Sequence, residues 1–119
     1  MILAKLRYLH SPDIHDLTSY QPKQPNDFGF LVQAMIGPST SPGEESFDFL
    51  VCSSKWLGAN LRNRSHLFGR HYLFLEEYDY DVLYNAISNL CSNTSGATWQ
   101  EVAAKLSRFG KWEFEDYHP

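Results

Sequence analysis

The apolar residues of this chain change period once, just after residue 76, and that change constrains the fold class more than any other feature. Before it they alternate. Ile2, Ala4, Leu6 and Tyr8 fall on one side of an extended segment with Lys5 and Arg7 opposite, the period-two pattern of a half-buried strand. Residues 28–36 form a second strand that stops at Gly37-Pro38, and Phe47, Phe49 and Val51 mark one face of a third. The Ser/Thr/Pro/Gly stretch at 39–43 predicts a hairpin between them. Residues 69–76, rich in aromatic and aliphatic side chains, predict a fourth strand.

After that point Val82, Leu83, Ala86, Ile87, Leu90 and Cys91 recur at helical spacing. Asp79 or Asp81 supplies an N-cap whose carboxylate suits the helix dipole. Thr98-Trp-Gln-Glu101 reads as a capping box opening a second helix with Trp99, Val102, Ala103 and Leu106 on one face. Gly110 falls where a C′ glycine belongs. Residues 10–27, with Pro12, Pro22 and Pro25, predict a long loop holding one helical turn at 12–17. Residues 53–68 read as a loop or a short helix, and 111–117 alternate as an extended end. Strands first and helices after predict an α+β fold: an antiparallel sheet of about four to five strands with two consecutive helices packed on one face.

A length of 119 residues predicts a single domain over 1–119. With 43% hydrophobic and 15% aromatic residues the chain can build a core, which excludes intrinsic disorder. No apolar run approaches the ~20 residues that span a bilayer, and the first residues lack a signal peptide's apolar stretch. No membrane association is expected. Cys52 and Cys91 sit inside apolar patterns and read as reduced, buried thiols of a cytoplasmic protein. A net charge of −4 weighs against a nucleic-acid partner. That charge is uneven: residues 1–75 hold seven Lys/Arg and six Asp/Glu, net +1, whereas residues 76–119 hold three and eight, net −5. A cationic partner would be drawn to the C-terminal third.

Catalytic patterns are weak. His10, Asp13, His15 and Asp16 form the densest ligand group, and a small metal-dependent hydrolase built on His10, His15 and those carboxylates is the competing reading. A zinc site needs three or four converging ligands, however, and the group lies in a loop with no HExxH or CxxC in the chain. Solvated loop residues explain it more simply. His66, His71 and His118 bear no spacing relation to a nucleophile motif, and GxSxG, P-loop and GxGxxG patterns are absent. Cys52 and Cys91 lack the electropositive, exposed setting of a reactive thiol. Glu76 with Glu77, or Glu113 with Glu115, could pose as an acid–base pair, but such carboxylates are usually solvated. No catalytic residue, metal or cofactor is expected.

The densest unusual feature is the closing Trp112-Glu-Phe-Glu-Asp-Tyr117. Trp112 and Phe114 are expected to pack inward. Glu113, Glu115, Asp116 and Tyr117 read either as exposed chain or as a binding surface, where tyrosine gives anchor area and carboxylates pair with Lys or Arg. Together with 46–57 (SFDFLVCSSKWL), 69–81 (GRHYLFLEEYDYD) and 96–117 (GATWQEVAAKLSRFGKWEFEDY), this string resembles the immunity protein 8 family of bacterial polymorphic toxin systems. The first 45 residues carry none of these motifs.

The resemblance implies a small, non-catalytic protein that binds the C-terminal effector domain of a cognate toxin and protects the producing cell. Effectors of such systems are often nucleases, whose clefts are basic because they bind a polyanion. An acidic, tyrosine-bearing surface is the natural counterpart. Glu76, Glu77, Tyr78, Asp79 and Asp81, with Glu113, Glu115, Asp116 and Tyr117, are the candidate contacts. They would merge into one surface if the final segment returned along the same edge.

Overall fold

The computed structural model describes residues 1–117. Its elements run β1 (Ile2–His10), β2 (Gly29–Pro38), β3 (Glu45–Cys52), α1 (Ser54–Arg64), β4 (Tyr72–Phe74), α2 (Tyr80–Ser92), β5 (Ser95–Gly96), α3 (Trp99–Leu106) and β6 (Lys111–Trp112). The α+β class holds, and the sheet is larger than the alternation predicts, with six strands in the order β4-β3-β2-β1-β5 and β6 also on β3.

The hairpin of β2 and β3 is continuous from Gly29↔Cys52 to Ile36↔Glu45. One pairing, β3 with β4, is parallel. It follows from residues 53–68: Ser53 caps α1 by accepting from the Trp56 N–H, and the helix lets the chain double back so that β4 enters beside Leu50 and runs along the last three residues of β3. His71, at φ +70, turns the chain into β4, so that strand is shorter than residues 69–76 suggest.

One face of the sheet builds the core. Ala4, Leu6, Phe30, Val32, Ala34, Ile36, Phe47, Phe49 and Val51 join Leu83, Ile87 and Cys91 of α2 and Val102, Ala103 and Leu106 of α3 in one buried cluster. Helix α1 buries no residue in that core. Its Trp56 lies over Gly29, where a Cβ would come within 2.2 Å of the indole; Gly29 is required there by close approach.

Several local expectations give way. Residues 12–17 form no helical turn: Ser11 Oγ accepts from the Asp13 and Ile14 N–H groups, and Asp13 Oδ2 accepts from the Leu31 N–H, tying the loop to β2 instead. Gly110 has no left-handed φ, and its small size serves a close approach to Phe49, whose ring would lie 2.7 Å from a Cβ. Extended structure after Gly110 ends at Trp112, and residues 113–116 turn, with Glu115 N–H donating to Trp112 O and Tyr117 N–H to Phe114 O. Residues 95–96 add a short strand, pairing with Ile2 and Leu3.

Candidate functional site

Both acidic segments flank the edge of β3 that faces away from β2, but at its opposite ends. At one end Leu75 N–H donates to Cys52 O at 3.0 Å, and Glu76 and Glu77 follow, exposed. At the other, Glu113 N–H donates to Ser46 O at 3.1 Å, and Glu113 Oε1 accepts from the Ser46 N–H at 2.8 Å. Ser46 and Cys52 lie six positions apart along the strand, roughly 20 Å of chain. The structure does not bring the two segments together.

Nor are the candidates alike. Tyr78 packs inward: its ring meets Tyr20 and Phe28 edge-on, its hydroxyl donates to Leu17 O, and burial pushes its pKa up to about 12. Asp79 is the N-cap of α2, accepting from the Asp81 and Val82 N–H groups at 2.9 and 3.3 Å. Asp81 stands exposed in the first turn. Glu115 holds Arg70 with both oxygens, at 2.6 and 3.1 Å, while Arg70 also donates to Ser107 O. Trp112 is half-buried on Phe47, but Phe114 is 39% exposed, held edge-on between Trp112 and Tyr117. Glu76, Glu77, Asp81, Asp116 and Tyr117 therefore remain the outward-facing members.

A second surface adjoins Glu76 and Glu77. The six apolar positions of α2 form two stripes, not one face. Leu83, Ile87 and Cys91 are buried, whereas Val82, Ala86 and Leu90, one position earlier each time, are not. Ala86 and Leu90 of that outer stripe border a cleft of about 220 Å³ between α2 and the sheet, lined also by Phe49, Tyr72, Leu73, Ile87 and Phe109. Val82, one helical turn before Ala86, lines a separate hollow with Glu76, Glu77 and Asp79, whereas Leu90 and Phe109 border both the cleft and a hollow that reaches Lys105 and Arg108. Periodicity merged the two stripes. Their signal was width: six apolar positions exceed what one contact with a sheet can cover.

The chemical alternatives fare poorly by donor geometry. Asp13 and Asp16 are engaged by backbone N–H groups of Leu31 and Thr18, and hydrogen bonds from Thr18 hold Asp16 below its usual carboxylate range. Among the described residues no three His, Cys, Asp or Glu side chains are grouped to hold a metal ion. His118 lies outside the described residues. Burial pushes the Cys52 thiol up to about 11 and the Cys91 thiol up to about 12, away from a reactive thiolate. Among the described residues no helix is long and apolar enough to cross a membrane.

Comparison with known proteins gives one result of weight. The family model described as immunity protein 8 matches residues 4–117. The match extends the resemblance of residues 46–117 through the N-terminal strands. No curated protein and no solved structure matches the chain.

Proposed function

The chain belongs to the immunity protein 8 family, and from that premise we propose that it neutralises a cognate bacterial toxin by binding its C-terminal effector domain in the cytoplasm of the producing cell. The observation that carries this reading is the family match over nearly the whole chain. The protein acts by occupying a surface of the toxin and performs no catalysis of its own. The engaged carboxylates of the 10–18 loop and the raised thiol pKa values support that reading over a metal-dependent hydrolase on His10 and His15.

A nuclease effector suits the charge best. Residues 76–119 carry a net −5, and Glu76, Glu77 and Asp81 stand exposed, the first two lining a hollow with Asp79 and Val82. Such a field steers a basic partner and raises association rates by ~10–10³-fold at low salt. Asp116 and Tyr117 form a separate outward patch at the far end of β3.

Co-expression with the effector domain of the toxin encoded beside this gene tests the reading. Growth rescue and co-purification are expected. Failure of both, or turnover of a substrate by the protein alone, would remove it.

A further inference from the structure

We propose that the toxin domain docks on the outer edge of β4 and the cleft beside it, by adding an extended, apolar segment with a Lys or Arg at one end as a further strand of the sheet. This rests on the immunity reading and adds to it a surface and the chemistry of the segment it takes.

The main chain supplies the first half of the argument. Strand β4 is terminal in the sheet order. Leu50 N–H donates to His71 O, and Leu75 N–H to Cys52 O. Residues 71, 73 and 75 thus turn their main-chain groups to β3, and in a parallel pair the alternate residues turn theirs away. The N–H and C=O groups of Tyr72 and Phe74 face outward, an open template for another strand.

Side chains supply the second half. On the core side of β4, Leu73 adjoins the cleft walled by Phe49, Ala86, Leu90 and Phe109. On the other side the rings of Tyr72 and Phe74 stack at 5.7 Å, and Phe74 is 54% exposed. Alternate side chains of an added strand would meet apolar surface on both faces. The segment should therefore read as a continuous apolar run, like a strand buried on both sides.

Charge selects the occupant. No Lys or Arg occurs between Arg70 and Lys105, so Glu76 and Glu77 just past β4, and Asp81 in the first turn of α2, have no cation on α2 to answer them. A second copy, paired antiparallel about Leu73, would set its Arg70 opposite Glu76. That guanidinium, however, is already held by both oxygens of Glu115 and by Ser107 O, and each copy carries −4. A cationic partner meets neither obstacle.

The test uses the full chain and the effector domain of the neighbouring toxin. Ala86→Arg places a long side chain at an exposed helical position bordering the cleft, and Phe74→Pro removes an outward N–H and the exposed ring stacked on Tyr72 while leaving the bonds to β3 in place. Both should keep the wild-type melting temperature and weaken toxin binding by about tenfold or more. Amide exchange at Tyr72 and Phe74 should slow in the wild-type complex. Wild-type affinity in both folded variants, with those amides unprotected, would overturn the surface while leaving the immunity reading intact. A dimer of the free wild-type chain that either variant dissolves would assign the edge to a second copy and also overturn it. Failure of the wild-type chain to bind or to rescue would overturn both proposals together.

Discussion

Trp99 and Trp112 donate their indole N–H groups to the same carboxylate oxygen, Oε1 of Glu45, at 2.7 and 2.8 Å. One side chain at the start of β3 thereby fixes the first turn of α3 and the last strand. Both indoles are half-buried against the core, so the acceptor cannot simply be replaced by bulk water. Glu45→Ala should cost about 2 kcal/mol, since each donor stranded away from water costs ~1–3 kcal/mol. Calorimetry should show a melting temperature lower by roughly 6–12 °C. Glu45→Gln, which keeps a carbonyl acceptor, should recover most of the loss. An unchanged melting point in the alanine variant would mean that packing alone holds the two tryptophans.

Gly29 and Trp56 give a second prediction. A methyl group at residue 29 would overlap the indole at 2.2 Å, and Trp56 is the residue through which α1 covers β2. Gly29→Ala should displace Trp56, lowering stability by ~1–3 kcal/mol as overpacking usually does. Tryptophan fluorescence should shift to the red as the ring leaves its seat. A variant with native fluorescence and stability would mean that α1 shifts as a body at little cost.

These two contacts also mark where the sequence is legible. Ile2, Phe47 and Val51 declare their strands because one face of the sheet is buried and a period of two has no other use there. Thr98 and Asp79 declare their helix starts because a cap is a local device: Thr98 accepts from the Glu101 N–H, and Asp79 from the Asp81 and Val82 N–H groups. Glu45 and Arg70 declare nothing. Their partners lie 54 to 67 and 37 to 45 positions away, and no pattern along the chain encodes such a meeting. The same holds for the acidic surface. Sequence places Glu76 and Glu113 in two acidic strings, but their separation depends on β4 and β6 using opposite ends of one strand edge, which only the register decides.

The buried thiols predict a pH dependence. Burial raises Cys52 to about 11 and Cys91 to about 12, above the ~8.5 of an unfolded thiol. The folded state holds these protons more tightly, so the contribution is complete below about pH 8.5 and is lost as pH climbs towards 11 and 12. Tyr78, raised to about 12, acts in the same direction. Denaturant midpoints should fall from pH 8 to pH 11, and iodoacetamide at pH 8 should label neither cysteine until the protein unfolds. Rapid labelling of the native protein would show that one thiol reaches solvent.

Two charge reversals separate docking from structure at the acidic ends. Glu77 is exposed in the hollow beside Val82 and makes no ion pair among the described residues. Glu115 is bound to Arg70 through both oxygens. Glu77→Lys, combined with Glu76→Lys, should leave the melting temperature unchanged and slow toxin association by about tenfold at low salt, with the difference shrinking as salt screens the field. Glu115→Lys should act differently. It sets two cations together and frees the turn at 113–117, but an exposed pair contributes only ~0–1 kcal/mol, so stability should drop slightly and amide exchange at Glu115 and Tyr117 should accelerate. Its effect on association should be smaller than that of the pair at 76 and 77, because it lies at the far end of β3. If Glu115→Lys slows association more than the double reversal does, the toxin docks at the C-terminal turn beside Asp116 and Tyr117, and the β4 edge is not its seat.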